Sequence, residues 1–154
     1  MTLERKAKSA AHPSLPKARV VERKDYTPNL IVIKLQPEMP FSYVAGQYCT
    51  IGVDGVERAY SIVSASNEEL LELFIERVHN GELTPRLWGV QAGDSVTIRP
   101  RAKGVFIFDE KHPNHPMLAT VTGIAPFVSM TRSYLRQGRS GHHFYILQGA
   151  SYFN

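Results

Sequence analysis

The sequence predicts a mainly β chain, with a closed antiparallel barrel of short strands followed by one strand–helix–strand unit. Three observations support this prediction. Short runs rich in β-branched and aromatic residues alternate with turn signals up to Phe108. After Pro113 the pattern changes, and two apolar runs flank an amphipathic segment. The chain has 154 residues, 43% of them hydrophobic and 21% charged, which is enough to bury a sizeable core.

The first half of the chain supplies the predicted barrel strands. The dipeptide Asp54-Gly55 stands between two of these runs and is a strong β-hairpin signal, because both residues tolerate the positive φ of a tight turn. Another of the runs, from Leu70 to Val78, shows the alternation of a half-buried strand, although both of its faces carry apolar groups. The predicted strands are residues 18–23, 30–35, 48–53, 56–63, 70–78, 95–99 and 105–108.

A short helix is predicted between two of these strands. Thr84 is expected to be its N-cap, Pro85 its first helical residue and Gly89 its terminator. The N-terminus of a helix carries free backbone N–H groups and a partial positive charge. The segment around Thr84 is therefore a candidate anion site.

The end of the chain predicts one α/β unit. Residues 117–121 and 144–147 have the composition of buried strands, and residues 125–137 that of a helix. A single unit of this kind cannot cover both faces of its sheet. We therefore expect a fragment or a truncated chain, with the barrel or another chain covering the apolar residues of the unit. These residues are Phe127, Tyr134 and Tyr145.

The most informative motif is Arg58-Ala59-Tyr60-Ser61, at the end of a predicted strand. Side chains alternate along a strand, so Arg58 and Tyr60 share one face and Ser61 begins the other. Such a strand end offers a charge for a phosphate, a flat ring for stacking and a hydroxyl donor. These are the needs of a flavin nucleotide. A surface ion pair and a half-buried tyrosine are the structural alternatives.

Three motifs, in this order along the chain, resemble those of the ferredoxin–NADP reductase family. Within this family, the motifs most resemble those of the bacterial ferredoxin/flavodoxin reductase branch. The segment from Phe41 to Tyr48 also resembles the family's approach to the flavin-stacking strand, so the resemblance runs from roughly Ala18 to the end of the chain. The three motifs are Arg58-Ala59-Tyr60-Ser61, Gly81-x-Leu83-Thr84 and Thr122-Gly123-Ile124-Ala125-Pro126-Phe127.

The resemblance implies a domain organisation and a function. Residues 17–112 would form a six-stranded antiparallel Greek-key FAD-binding barrel, and residues 113–154 the start of an incomplete NAD(P)-binding domain. Residues 1–16 are basic and without periodicity, and we predict a disordered arm, with a targeting segment as the alternative. The implied function is the FAD-binding portion of an NAD(P)H-dependent oxidoreductase. It would pass electrons between a nicotinamide nucleotide and a ferredoxin- or flavodoxin-type carrier through flavin N5.

Residue roles follow from the resemblance. Arg58 would pair with the FAD pyrophosphate, Tyr60 would stack on the isoalloxazine, and Ser61 would hydrogen-bond near N5. Tyr60 and Ser61 are therefore the implied catalytic residues. Leu83 and Thr84 would present donors to the pyrophosphate, and Thr122 would lie near the contact of flavin and nicotinamide. The implied cofactor-binding residues are Arg58, Ala59, Tyr60, Ser61, Gly81, Leu83, Thr84 and Thr122.

Two departures from the family pattern concern the nicotinamide. Val121 stands where the family has the first glycine of a glycine-threonine-glycine turn, and a valine there obstructs close approach and disfavours positive φ. Gly149 to Ser151 lacks the arginine that many NADP-preferring relatives have. NADP and NAD both stay open. A noncatalytic FAD-binding or partner-docking module is the alternative, as is the reductase component of an oxygenase system.

Charge and composition indicate which kinds of partner the chain binds. The net charge is +4 and the pI is about 9.3, typical either of a solvated basic arm or of steering toward an acidic partner. The basic residues are not interleaved with aromatics, so we expect no nucleic-acid binding. No apolar run is long enough to span a membrane.

Cysteine and histidine content argues against metal sites and disulfides. Cys49 is the only cysteine, so the chain can form neither an internal disulfide nor an iron–sulfur cluster. This suggests a reducing compartment, and we expect a cytoplasmic protein. The pairs His112/His115 and His142/His143 have no carboxylate or cysteine at metal-ligand spacing, so no metal is predicted.

Overall fold

The computed structural model describes residues 14–150. The short helix α1 spans Thr84–Leu87, and helix α2 spans Ala125–Arg136 directly after a 3₁₀ turn at Val121–Ile124. The described residues form eight strands. These are β1 (Lys17–Thr27), β2 (Leu30–Pro37), β3 (Tyr48–Val53), β4 (Val56–Ser61), β5 (Leu71–Glu76), β6 (Ser95–Ile98), β7 (Asn114–Thr120) and β8 (His143–Gly149).

The first six strands form one antiparallel sheet in the order β4-β3-β6-β1-β2-β5. Strand β6 lies between β1 and β3, which is a Greek-key type of connection. Ile62, directly after β4, pairs with Leu73 of β5 and brings the two edge strands together. A closed sheet has no exposed edges. The predicted antiparallel barrel with one short helix is confirmed.

The core fills the interior of the barrel. Strands β2 and β5 bury every second residue, as the alternation in the sequence predicts for a strand with one face inward. Their side chains pack with those of β1, β3, β6 and α1 into a single cluster. The inward residues of β2 and β5 are Ile31, Ile33, Leu35, Leu71, Leu73 and Ile75.

Strands β7 and β8 are parallel, and α2 connects them. This confirms the predicted strand–helix–strand unit. Helix α2 buries Met130 in a cluster with Ala45 and packs the ring of Tyr134 near that of Phe108. Leu135 is 65% exposed. The two strands expose Leu118, Tyr145 and Leu147. The sheet therefore presents an apolar surface to solvent.

The prediction of a strand at residues 105–108 is wrong. Gly104 has a φ of +111°, and the segment that follows pairs with no strand. Its aromatic residues pack against α2 instead. The rings of Phe106 and Phe127 are 5.4 Å apart, and those of Phe108 and Tyr134 are 5.7 Å apart. The apolar character of the segment therefore reflects contact with a helix.

The turn between β3 and β4 is as predicted, whereas the end of β7 lies one residue earlier than predicted. The hairpin at Asp54 and Gly55 is confirmed, with φ of +49° and +78°, the left-handed pair that a two-residue turn requires. Strand β7 ends at Thr120, because Val121 begins the 3₁₀ turn. The predicted arm lies mostly outside the described residues. At its end, the Pro16 carbonyl accepts a hydrogen bond of 2.8 Å from the Ile98 amide.

Candidate functional site

A groove of about 590 Å³ opens where the end of β4, the loop after β5, α1 and the 3₁₀ turn meet. All eight residues that the resemblance assigns to the cofactor line this groove: Arg58, Ala59, Tyr60, Ser61, Gly81, Leu83, Thr84 and Thr122. They come from three separate segments of the chain. The barrel and the α/β unit both contribute, so the groove lies at their junction.

Strand β4 contributes Arg58 and Tyr60. The Arg58 side chain is 54% exposed and forms an ion pair with Glu82 across the groove, while its guanidinium also donates to the Glu57 carbonyl at 2.7 Å. Tyr60 packs partly against the barrel core. Burial raises the pKa of Tyr60 to about 12, and the nearby Arg58 charge opposes this shift. Its phenol therefore stays neutral at physiological pH.

The prediction that Thr84 is an N-cap is wrong. Leu83 precedes the helix, and Thr84 is its first residue. The Thr84 hydroxyl accepts a hydrogen bond of 3.0 Å from the Val78 amide and donates one of 2.9 Å to the Val78 carbonyl. Both backbone groups of Val78 lie just past the end of β5 and need partners there. Thr84 therefore closes the loop from Val78 to α1.

The loop that Thr84 closes is tightly built at Gly81. A Cβ at this position would lie 3.0 Å from the Val78 carbonyl oxygen and 3.3 Å from the Thr84 hydroxyl oxygen. A larger residue would therefore push the backbone of the loop away from β5. Gly81 keeps Glu82 and Leu83 where they line the groove.

The C-terminal end of α1 is held by Arg23 of β1. Its guanidinium donates to the carbonyls of Leu87, Trp88 and Val90 at 3.3, 3.0 and 2.6 Å. The three carbonyls lie at or just beyond the last turn of α1, and a cation suits this end of the helix dipole. The interaction fixes α1 on the barrel and so positions the residues at its start.

The turn after β7 contributes Thr122. The preceding Val121 has a φ of +43°, a conformation that is a clear outlier for a β-branched residue. Gln148 of β8 donates a hydrogen bond of 2.9 Å to the Val121 carbonyl. The sequence predicted that valine would disfavour a positive φ here, and the turn adopts that φ nevertheless. The turn is therefore strained beside the groove.

Sequence reasoning missed several residues of the groove. Phe74 lies on the face of β5 opposite the core, so an apolar ring on an otherwise polar strand face was the available signal. Glu82 gave no signal, because its position opposite Arg58 depends on the loop. The additional lining residues are Phe74, Glu76, Val78, Asn80, Glu82, Gly123 and Ala125.

The described residues show neither a metal-binding cluster nor a membrane-spanning helix. Within residues 14–150, no group of three or more histidine, cysteine or acidic side chains is arranged to hold a metal ion. Neither α1 nor α2 is long and apolar enough to cross a bilayer.

Comparison with known proteins decides the family. The sequence pattern of the oxidoreductase FAD-binding domain matches residues 17–106. This chain belongs to that family. The matched region contains the β4 strand end and α1, and seven of the eight predicted site residues lie within it. Thr122 lies beyond it.

Relatives of this FAD-binding domain protein are ferredoxin–NADP reductases. Ferredoxin–NADP reductase A of Sorangium cellulosum is 34% identical over 126 residues, which are 78% of this chain and 45% of the relative. The ferredoxin–NADP reductase of Azotobacter vinelandii is 36% identical over 118 residues, 73% of this chain and 46% of the relative. The chain thus spans about half the length of the curated relatives it matches.

A solved structure of a ferredoxin NADP⁺ reductase is also similar to this chain. A ferredoxin NADP⁺ reductase from Neisseria gonorrhoeae, crystallised with bound FAD and NADP, has a TM-score of 0.79 and 26% sequence identity. The similarity covers 88% of this chain and 57% of that protein. Because it extends past residue 106, the similarity includes part of the α/β unit as well as the barrel.

Proposed function

We propose that this chain is the FAD-binding portion of an NAD(P)H-dependent oxidoreductase that passes electrons to a ferredoxin- or flavodoxin-type carrier. One observation carries the proposal: a cation, a half-buried neutral ring and several hydroxyl groups converge on one groove, within a family of FAD-binding domains. These groups match a pyrophosphate, an isoalloxazine and its polar edge in chemical type. Bound FAD would supply hydride acceptance and one-electron transfer.

The residues of the groove would divide the work of holding the flavin. Arg58 would pair with the pyrophosphate, and the Gly81–Leu83 loop would let the backbone approach it. Tyr60 would present a neutral ring to the isoalloxazine, and its partial burial would fix the plane of that ring. The Ser61 hydroxyl would donate to the polar edge of the flavin where hydride arrives. The protein would thus orient the cofactor without acid–base chemistry of its own.

A second candidate function is a noncatalytic FAD-binding or partner-docking module. The strained Val121 turn favours it, because a valine side chain stands where the family has glycine. The exposed apolar surface of β7 and β8 also favours it, since Leu118 and Leu147 are 70% and 67% exposed. We propose that a second chain covers this surface.

We also propose that the protein works in a reducing, cytoplasmic compartment. Both NAD and NADP stay candidates for the nicotinamide nucleotide, and reduction by NADH or by NADPH distinguishes them.

Anaerobic absorption spectroscopy tests both candidates. The purified protein is incubated with FAD, freed of excess cofactor, and mixed with NADPH or NADH without oxygen. We expect a bound-flavin spectrum that one of the two nucleotides bleaches. A flavin spectrum that stays oxidised with both nucleotides would support the noncatalytic module. If no flavin is retained, both candidates fail.

A further inference from the structure

The Arg58 guanidinium already has an anionic partner within the protein. Glu82, 24 positions further along the chain, extends its carboxylate to Arg58 from the loop between β5 and α1. The two side chains are 54% and 69% exposed. An ion pair this exposed contributes little to stability. Its significance lies in its position, because both residues line the same groove.

The pair uses the one strong cation of the groove. Among the described residues that line the groove, Arg58 is the only basic one, whereas Glu76 and Glu82 are both acidic. The Arg86 guanidinium donates to the Glu82 carbonyl, which fixes the backbone that carries the carboxylate. A ligand phosphate that pairs with Arg58 must therefore take the place of the Glu82 carboxylate or share the guanidinium with it.

We propose that Glu82 is a built-in competitor for the anionic ligand of Arg58. Its carboxylate holds the guanidinium while the groove is free of cofactor, and it swings away when a pyrophosphate group binds. The inference rests on the proposed function, because it takes the pyrophosphate of FAD as the ligand. It adds a residue that sets the affinity and that is separate from those that hold the flavin.

Neutralising Glu82 should therefore tighten binding. The variant Glu82→Gln keeps the size of the side chain, removes the competing charge and removes the repulsion between a carboxylate and the pyrophosphate. We expect the Kd for FAD to fall about threefold to tenfold, measured by quenching of flavin fluorescence. The gain should shrink in high salt, because mobile ions screen interactions between exposed charges.

Two control variants separate the proposed pairing from a general loss of negative charge. Glu76→Gln removes a carboxylate from the same groove that has no ion pair with Arg58 among the described contacts. Glu69→Gln removes an exposed carboxylate elsewhere on the barrel. We expect Glu69→Gln to change the Kd less than twofold, and Glu76→Gln to give a smaller gain than Glu82→Gln, because only Glu82 pairs with Arg58 among the described contacts. Equal gains in FAD affinity for Glu76→Gln and Glu82→Gln would overturn the competitor role. The affinity would then depend on the total negative charge of the groove and not on the pairing with Arg58.

Two ligand controls locate the effect at the phosphates. Riboflavin lacks phosphate, so Glu82→Gln should leave its affinity unchanged, and an equal gain for riboflavin would overturn the proposal. Inorganic pyrophosphate lacks the flavin, and calorimetry should show tighter binding to Glu82→Gln than to the wild type. Binding of pyrophosphate with equal affinity to both proteins would also overturn it.

The same measurements distinguish failure of this inference from failure of the proposed function. If FAD binds with equal affinity to the wild type and Glu82→Gln, the proposed function stands and the competitor role fails. If neither protein binds FAD, the proposed function fails, and the pyrophosphate comparison then decides on Glu82 by itself. Thermal unfolding of each variant confirms that the fold is intact, because an exposed pair contributes little to it.

Discussion

Tyr60 differs from its neighbours on β4 in being packed partly into the barrel wall. Arg58 and Ala59 are exposed, whereas Tyr60 contacts the core cluster and still lines the groove. One part of its ring is therefore supported by protein, and another is free to contact a ligand. Because burial raises its pKa to about 12, no charge develops on the ring at physiological pH.

Substitution of Tyr60 tests the importance of the ring itself. Tyr60→Phe keeps the flat ring, and we expect a Kd for FAD within about threefold of the wild type. Tyr60→Leu keeps an apolar side chain but removes the ring, and it should weaken binding about tenfold, as expected for the loss of an aromatic pair. Flavin fluorescence titration measures both. An equal loss of FAD affinity in both variants would mean that the hydroxyl, and not the ring, contributes to binding.

Cys49 lies on β3 directly opposite Tyr60, with no exposed surface. Burial raises the pKa of the Cys49 thiol from the ordinary 9.0 to about 12. At about pH 8 a smaller fraction of this thiol is therefore present as thiolate than for a free cysteine. We expect Ellman's reagent to react with the native protein far more slowly than with the urea-unfolded chain. Fast reaction of the native protein would show that β3 opens readily.

At the scale of the element, α1 is positioned by its neighbours more than by its own sequence. A helix of four residues cannot be stable alone. Arg23 holds the carbonyls at its end, and Thr84 joins its start to Val78. The N-cap prediction was wrong for this reason, since the backbone groups of Val78 engage the hydroxyl that a cap would use.

Substitution of Thr84 tests this closure of the loop. Thr84→Val keeps the shape but leaves the Val78 amide and carbonyl without the hydroxyl partner. We expect a loss of about 1–3 kcal/mol in the free energy of unfolding, together with weaker FAD binding. Thr84→Ser keeps the hydroxyl and should restore most of both quantities. Urea unfolding and FAD titration measure them, and full stability of Thr84→Val would contradict the proposed closure.

At the scale of the whole molecule, hydroxyl groups join α2 to the barrel. Ser129 of α2 donates a hydrogen bond of 2.6 Å to the Ser64 carbonyl, and Tyr43 donates to the Ala65 carbonyl at 2.7 Å. Ser133 accepts a hydrogen bond of 3.0 Å from the Ser66 amide. The two serine contacts hold the segment after β4 against α2, which directly follows the 3₁₀ turn beside the groove.

Substitution of Ser129 tests the connection between the two parts. Ser129 is fully buried, and its removal leaves the Ser64 carbonyl with only the Tyr43 hydroxyl, at 3.1 Å, whose single proton the Ala65 carbonyl accepts at the shorter distance of 2.7 Å. We expect Ser129→Ala to lower the free energy of unfolding by about 1 kcal/mol in urea titrations. Ser140→Ala, at an exposed position, should have no measurable effect. Similar losses for both variants would indicate that the Ser129 bond contributes nothing specific.

The sequence by itself determined the barrel, the α/β unit and the family. Alternation along β5, the Asp54-Gly55 turn and the ordered motifs are local signals, because they depend on backbone preference and on which strand face is buried. Such signals survive without knowledge of distant contacts. They also gave the candidate site residues, whose roles stay predictions.

Only the tertiary structure decided the contacts between segments that are distant in the sequence. Residues 105–108 resembled a strand, yet their rings pack against α2, since an apolar run does not specify its partner. Thr84 bonds to Val78, and Glu82 reaches Arg58 across 24 positions of the chain. These pairings arise when the barrel closes and α1 docks, because only then do separate backbone and side-chain groups come within hydrogen-bonding distance.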